Sequence, residues 1–393
     1  MYRLERTKDS YRVEPWAIPY ERRIGVLKAA KAAGRHTAAF LYPHFDSSTF
    51  RYRAYNPSQT LEYSFWWSGA YFVKADLKKL WKDLCFLDVL VVIRCGWTQG
   101  LESFLKAAKA KGIRLCYDVD DLIYHPKHML SVIEALGLSN ETELDFWFGQ
   151  TERNCMTAKM CDSMITTNQC LAEHLQEDFG KPCYVLQNYL NWVQEKVSQE
   201  YFEAKRALEP EKPFIIGYFS GSPTHEKDLM VALPALEEFL MEHEDTRLTI
   251  VGYMELSQKY SYLVKRQKIR FVPFQTFVGL QYEQAVVDVN IVPLVNNLFS
   301  NCKSELKYFE SAIVGTVTCA TPVHSYAKAI TDGKNGYLCQ KDQWLSVLEK
   351  LYRENEGSRS RRQSCIRERA LEQYANRKQL SVLEHMLDDI LKM

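Results

Sequence analysis

No stretch of eighteen or more uncharged apolar residues occurs in this sequence. The strongest run, Phe86 to Ile93, is interrupted by Asp88 and stops at Arg94, which excludes an ordinary membrane-spanning helix. The first residues, MYRLERTKDSYRVEP, lack the apolar core of a secretory leader, so a cytoplasmic location is expected. Neither GxGxxG after a strand nor GxxxxGK[ST] is present, and dinucleotide-dependent and P-loop readings lose their main support. CxxC pairs are absent as well: the 11 cysteines are scattered and odd in number, which points to free thiols rather than to disulfides, redox chemistry or structural zinc. An excess of one charge is also missing. Lys plus Arg number 50 against 49 Asp plus Glu, a net charge of +1, leaving no global field for nucleic acid or an acidic membrane. An anionic partner must therefore be gripped locally.

What is present is a folded chain of 393 residues, 46% hydrophobic and 25% charged, long enough for two domains. Short apolar runs alternate with helix-period stretches, the pattern of an α/β protein with parallel sheets. The first series predicts strands at 37–42, 70–73, 87–94, 113–118, 163–167 and 183–187. Leu101, Phe104, Leu105 and Ala108 give the intervening helix one apolar face. The polar stretch from Asn191 to Lys212, ending in the breaker EPEKP, separates this series from a second. The second predicts strands at 214–219, 247–251, 269–272, 287–292, 316–320 and 337–339. Domains at 1–208 and 209–393 follow, each a Rossmann-like parallel sheet, with terminal helices of which the last is free to pack back on the first domain. Two such sheets set their strand carboxyl ends, and hence their ligand crevices, across a central cleft. That arrangement suits a two-substrate transfer.

The richest segment of the second half is Asn301 to Glu310, NCKSELKYFE, read as a loop leading into a helix. Lys303, Lys307 and Glu310 fall at i, i+4 and i+7 on one face, and Leu306, Phe309 and Ile313 on the buried side. An anion at that helix start would meet free N–H groups and two ammonium groups, a place for a nucleoside diphosphate. Glu310, about 10 Å further along at 1.5 Å per residue, would accept from its ribose. An ordinary solvated face with ion pairs is the equal alternative from spacing alone.

The stretches IIGYFSGSPTHEKDL (215–229), LTIVGY (248–253), DVNIVPLVNNLFSNCKSELKYFESAIVGTVTCAT (288–321) and ITDGKNGYL (330–338) resemble the retaining GT-B glycosyltransferases related to family 4, notably those that assemble bacterial surface polysaccharides. The resemblance implies a GT-B fold, and a second domain that holds the donor nucleotide without a metal cofactor. It places the acid of Glu310 at the ribose and the loop after Gly221 at the diphosphate, with Ser304 beside Lys303. Ser222, Thr224, His225, Lys227 and Asp228 could contribute donors, Lys227 foremost. One departure stands out: the family's E-x7-E would put its first glutamate at position 302, which is Cys302 here.

In the first half, strand 113–118 ends in Asp118, Val119, Asp120 and Asp121, three carboxylates at a strand's carboxyl end. They could bind acceptor hydroxyls or donor sugar, with Asp120 or Asp121 the candidate general base, or simply cap a helix. A metal is the less favoured reading. Arg94 closes strand 87–94 and could touch phosphate or pair with Asp118 or Asp120. Arg51 and Arg53 lie in the RYR stretch that recurs in related polysaccharide glycosyltransferases, which places them and Asp118 at the acceptor; anchoring a loop is the even alternative. The basic stretch from Glu21 to Arg35 could lie on a membrane surface or pack on the sheet, the latter slightly favoured. A second basic run, Arg359 to Arg369, reads as a solvated helix without nucleic-acid features. His125 and His128 read as surface residues. The expected activity is transfer of a sugar from a nucleoside-diphosphate sugar to a glycan or lipid-linked glycan with retention. A non-catalytic sugar-binding relative or a nucleotide-sugar epimerase are the alternatives.

Overall fold

The computed structural model describes residues 2–6, 14–46, 48–208, 211–221 and 226–393. Two six-stranded, all-parallel sheets dominate it. The first comprises β1 (His36–Tyr42), β2 (Trp67–Val73), β3 (Val89–Ile93), β4 (Arg114–Asp118), β5 (Ser163–Thr166) and β6 (Cys183–Val185) in the order 2-1-3-4-5-6. The second comprises β7 (Phe214–Ser220), β8 (Thr246–Gly252), β9 (Ile269–Val272), β10 (Val289–Val292), β11 (Val317–Ala320) and β12 (Tyr337–Leu338) in the order 12-11-10-7-8-9. Central strands such as β3 (VLVVI) and β7 (FIIGYFS) are buried at every position. Covered on both faces by crossover helices, they have no wet side, which is why they read as uninterrupted apolar runs.

The helices that bear on the site are α1 (Tyr20–Ala32), α2 (Gln99–Ala110), α3 (Met129–Leu136), α4 (Gln169–Phe179), α5 (Trp192–Arg206), α6 (Glu226–Met230), α7 (Phe277–Val286), α8 (Leu306–Ala312), α9 (Glu356–Tyr374) and α10 (Leu380–Lys392). In α2 the four apolar residues read from the sequence are the four buried ones, and Thr98 caps its start by accepting from the Leu101 N–H. In α4 the Asn168 side chain caps the first turn, and Gly180 in the left-handed conformation (φ 62°) ends the helix.

The chain does not divide cleanly at residue 208. Helix α5, expected in the first domain, packs on α7 of the second: Ser198 donates to Gln281 at 2.8 Å, and the Lys205 ammonium donates to the Val287 carbonyl and to Thr316 Oγ1. The exchange of partners therefore runs along α5 itself: its first turn still bonds to the first domain, Asn191 Nδ2 to Asn56 and Gln194 Nε2 to the Tyr52 hydroxyl. The opening residues make the same crossing. Tyr2 donates its N–H to the Val286 carbonyl, and its hydroxyl accepts from Gln363 of α9. The last helix crosses the other way: Leu383, Leu387 and Ile390 are fully buried in one core with Phe40, Val89 and Val91 of the first sheet, and Asp388 accepts from Trp67 Nε1 at 2.7 Å.

Helix α1 takes the packing alternative. Ile24, Leu27 and Ala30 are buried against the first sheet, while Arg23 pairs with Asp76, Lys28 with Asp83 and Lys31 with Asp88. Three of its four cations are thus paired on the protein, leaving Arg22 at the surface. In the second basic run Arg367 is buried, donating to the Ile313 carbonyl, so that run is not a wholly solvated face. His128 likewise departs from the surface reading. It is buried, with Nε2 2.6 Å from Asp178, which also accepts from Tyr124.

Candidate functional site

The carboxyl ends of both sheets meet at a cleft whose main cavity has an empty volume of about 820 Å³, part of it open to solvent, a size within the range of nucleotide and cofactor sites. The first domain contributes Ser48, Thr49, Tyr52, Asp120, Asp121 and Asn188; the second contributes Gly221, Lys303, Ser304, Lys307 and Tyr326 among others. Six residues singled out in the sequence, Asp120, Asp121, Gly221, Lys303, Ser304 and Lys307, thus share one cavity although they come from both halves of the chain.

On the second-domain wall the helix begins later than the sequence suggests. Helix α8 starts at Leu306, so Lys303 lies in the turn before it and not on the same helical face as Lys307 and Glu310. Both ammonium groups nonetheless reach the cavity. Lys303 is held through its backbone: its carbonyl accepts from Ser325 Oγ and from Asn168 Nδ2 of the first domain. Ser304 Oγ accepts from Asn188 Nδ2 at 3.0 Å, a second bond across the cleft. Among the described residues neither lysine ammonium makes an ion pair; they lie over the rings of Phe299 and Tyr218. Burial, and then Lys303, pull the Lys307 ammonium down to about 8. Two cations share a partly dehydrated space, the arrangement an anionic ligand relieves. Gly221 lines the same cavity, and a Cβ built there would meet nothing within 4 Å. The missing side chain leaves that space open to a ligand.

Glu310 is placed otherwise than expected. It is buried, its Oε1 accepting a short bond from the Tyr52 hydroxyl and its Oε2 facing Gln284 Nε2 at 3.5 Å. Burial pushes its carboxyl up to about 7. Tyr52, whose hydroxyl donates to this carboxylate, lines the cavity, whereas Glu310 does not. Lys227 also sits to the side: its ammonium donates to the Glu134 carbonyl of α3 at 3.1 Å, and it lines a smaller neighbouring cavity with Asp228 and Lys303. Ser222, Thr224 and His225 lie outside the described residues. Asp228 Oδ1 accepts from the Val295 N–H at 2.9 Å, fixing the loop after β10.

On the first-domain wall, the acidic strand end is neutralised by arginines. Arg94 has φ 48°, a left-handed backbone that costs a non-glycine residue energy. It turns the guanidinium back to 3.3 Å from Asp120 and 3.1 Å from Asp121, with Thr49 Oγ1 accepting at 3.0 Å. Burial works against the Arg94 charge, but the two carboxylates hold it firmly protonated. Burial raises the Asp120 carboxyl, with Arg94 opposing. Arg94 is thus the counter-charge of both carboxylates.

The acceptor residues read from the sequence are corrected. Arg53 and Asp118 form a two-bond pair at 3.0 and 2.6 Å, with side chains 0% and 2% exposed. Arg53 also donates to the Leu186 carbonyl and Asn188. Arg51 lies 3.8 Å over the Phe277 ring and pairs with Glu14. None of the three lines the main cavity. The reason is local: residues 51–55 form a wide helical turn, closed by the Asn56 N–H on the Arg51 carbonyl, not an alternating strand. Within it the residue presented to the cleft is the tyrosine between the two arginines. Tyr52, Thr49, Asn168, Asn188 and Tyr326 were not anticipated; the RYR motif contained the signal for Tyr52, whereas isolated asparagines carry none.

Residues 213–354 match the family model described as Glycosyl transferases group 1. That stretch covers less than half of the chain. The match supports an enzyme of the glycosyltransferase class, and the architecture of the whole is the GT-B fold. Among solved structures, sucrose-phosphate synthase from Thermosynechococcus elongatus aligns at 13% identity with a TM-score of 0.60, over 90% of this chain and 100% of that one. HepE of Anabaena in complex with UDP and glucose aligns at 11% identity, TM-score 0.58, over 91% and 100%. The pneumococcal O-GlcNAc transferase GtfA in complex with UDP and GlcNAc aligns at 17% identity, TM-score 0.55, over 81% of this chain and 60% of that one. At these identities the likeness is one of fold. A search of curated proteins finds no significant match.

Proposed function

We propose that this chain transfers a hexosyl unit from a UDP-sugar to a hydroxyl of a glycan or lipid-linked glycan, with retention of configuration and without a metal cofactor, in assembly of a surface polysaccharide. The observation that carries the reading is the pair of ammonium groups, Lys303 and Lys307, free of carboxylate partners among the described residues in a cavity shared by the two domains. Complexes of HepE and GtfA with UDP favour that nucleotide. The family-4 resemblance favours retention and the polysaccharide setting.

In this reading the two lysines take the diphosphate and stabilise the charge that builds on it as the glycosidic bond breaks. Gly221 leaves room for the phosphates. Asp121, partly exposed across the cavity, and Asp120 meet hydroxyls of the sugar or acceptor, while Arg94 pairs with both carboxylates and orients them. Bonds already spanning the cleft, Asn188 to Ser304 and Asn168 to the Lys303 carbonyl, hold the walls together and restrict water. The departing phosphate can take the acceptor proton on the same face, so no carboxylate nucleophile is required. Glu310 reaches a ribose only once Tyr52 gives way, and binding of the donor is therefore coupled to the first domain.

Thermal-shift binding with UDP, GDP, dTDP and CDP, with and without Mg²⁺, tests the donor site on the wild type and on Glu310→Gln and Lys303→Met. Stabilisation by UDP that is independent of Mg²⁺ and lost in Lys303→Met is expected. No response to any nucleotide would leave a non-catalytic relative. Turnover of UDP-sugar without acceptor, yielding a second UDP-sugar, would instead identify an epimerase.

A further inference from the structure

Outside the donor cavity, one cluster of metal-type ligands bridges the two domains. Cys170 and His174 lie one turn apart on α4, and residues i and i+4 share a helical face. Cys302 meets them from the second domain, immediately before Lys303. One ligand atom from each residue lies within 4.8 Å of the other two. The sulfurs of Cys170 and Cys302 are 4.0 Å apart, across 132 positions of sequence. Two sulfurs bound at about 2.3 Å to one tetrahedral ion sit about 3.8 Å from each other, which this pair nearly satisfies. A disulfide requires about 2.05 Å, and closing to it would pull the loop against α4. The Cys302 backbone is already fixed, its carbonyl accepting from Asn168 Nδ2 at 2.7 Å. Cys302 is buried, whereas Cys170 and His174 are partly exposed, so an ion can reach the cluster from solvent. Burial raises both thiols, so an ion entering must displace their protons, as thiolate sites do.

We propose that Cys170, His174 and Cys302 form a site for a thiophilic divalent cation of the zinc class, which ties α4 of the first domain to the loop that carries Lys303. The sequence gives no sign of it, because the ligands come from two domains and form no CxxC signature. A cation held there fixes the turn on which Lys303 approaches the cavity, so the site is a clamp on the cleft rather than a participant in transfer.

The test is titration of the full-length, phosphine-reduced protein with Co²⁺, followed by displacement with Zn²⁺. One equivalent is expected to give thiolate-to-cobalt charge transfer and the intense visible bands of a tetrahedral ion. The bands should be lost in Cys170→Ser, Cys302→Ser and His174→Gln and unchanged in Cys85→Ser, which alters an exposed cysteine outside the cluster. His174→Gln changes a partly exposed side chain and keeps the test valid should the buried Cys302→Ser variant fold poorly. Absence of the bands in the wild type, or their survival in His174→Gln, would overturn the proposal. So would peptide mapping that finds Cys170 and Cys302 joined as a disulfide in protein that takes up no metal after reduction. The readout is independent of transferase activity, so it stands apart from the donor assignment.

Discussion

Lys307 makes the donor site sensitive to pH in a way that can be worked out. Burial and Lys303 bring its ammonium to about 8 from an ordinary 10.5. A bound diphosphate restores the normal range by supplying the missing counter-charge. The free protein is therefore mostly protonated at pH 7 and mostly neutral at pH 9, whereas the complex is protonated at both. Linkage then makes UDP binding weaker as pH rises through 8, by a factor of about 1 + 10^(pH − 8), so that the dissociation constant grows about tenfold between pH 7 and pH 9. The same cycle requires uptake of about 0.1 proton per UDP bound at pH 7 and about 0.9 at pH 9. Isothermal titration in buffers of different ionisation enthalpy measures both quantities. Lys307→Met should bind UDP about 10- to 150-fold more weakly at pH 7, the worth of a hydrogen bond to a charged group, and should lose the pH slope. A wild-type constant that does not change between pH 7 and pH 9, or a variant that keeps the wild-type affinity and slope, would refute the placement of the diphosphate on Lys307.

Four further outcomes are expected. Arg53→Met leaves Asp118 buried without its partner and should cost about 3–5 kcal/mol in urea unfolding, part of which Asp118→Asn in the same chain should restore. Burial lowers the Lys205 ammonium to about 7, so the unfolded chain binds more protons than the folded one between pH 7 and 10.5. Stability should consequently rise with pH across that window, by up to about 5 kcal/mol at 1.36 kcal/mol per unit, and chemical unfolding of Lys205→Met should show that rise removed. Asp121→Asn should raise the KM for acceptor by roughly 10- to 100-fold while leaving the Kd for UDP unchanged; an equal loss of both would move Asp121 to the donor. Tyr52→Phe removes the hydroxyl bonded to Glu310, so the donor no longer has to break that bond and UDP should bind more tightly; an unchanged Kd on titration would take Glu310 out of the donor site.

Much of this architecture was legible because parallel strands covered on both faces leave a strong trace. All twelve strands lie where short apolar runs predict them, with ends displaced by up to three residues, as in 87–94 against Val89–Ile93. The site was half legible. Lys303, Lys307, Asp120 and Asp121 reach the cavity because they follow strand ends, and a strand's carboxyl end faces the cleft whatever the side chain. What sequence could not convey is which charge already has a partner. Arg53 and Asp118 read as ligand-facing groups, yet their bonding spans 65 positions, and nothing local records that one sits opposite the other. Glu310 was lost to view in the same way, covered by a tyrosine 258 positions away. Helix α5 read as the end of the first half because its polar surface resembles a linker, whereas it bonds to the first domain at its start and to α7 along its length.

The return of α10 to the first sheet sets an order on the making of this protein. Strand β6 ends at Val185 and α10 begins only at Leu380. On a ribosome adding 5–20 residues per second, the face formed by Phe40, Val89 and Val91 waits about 10–40 s for Leu383, Leu387 and Ile390 to emerge. During that interval the nascent first half displays a greasy surface that only the end of the chain can close, making it a natural client for a holding chaperone, and neither half can be expressed alone without exposing a core meant for the other.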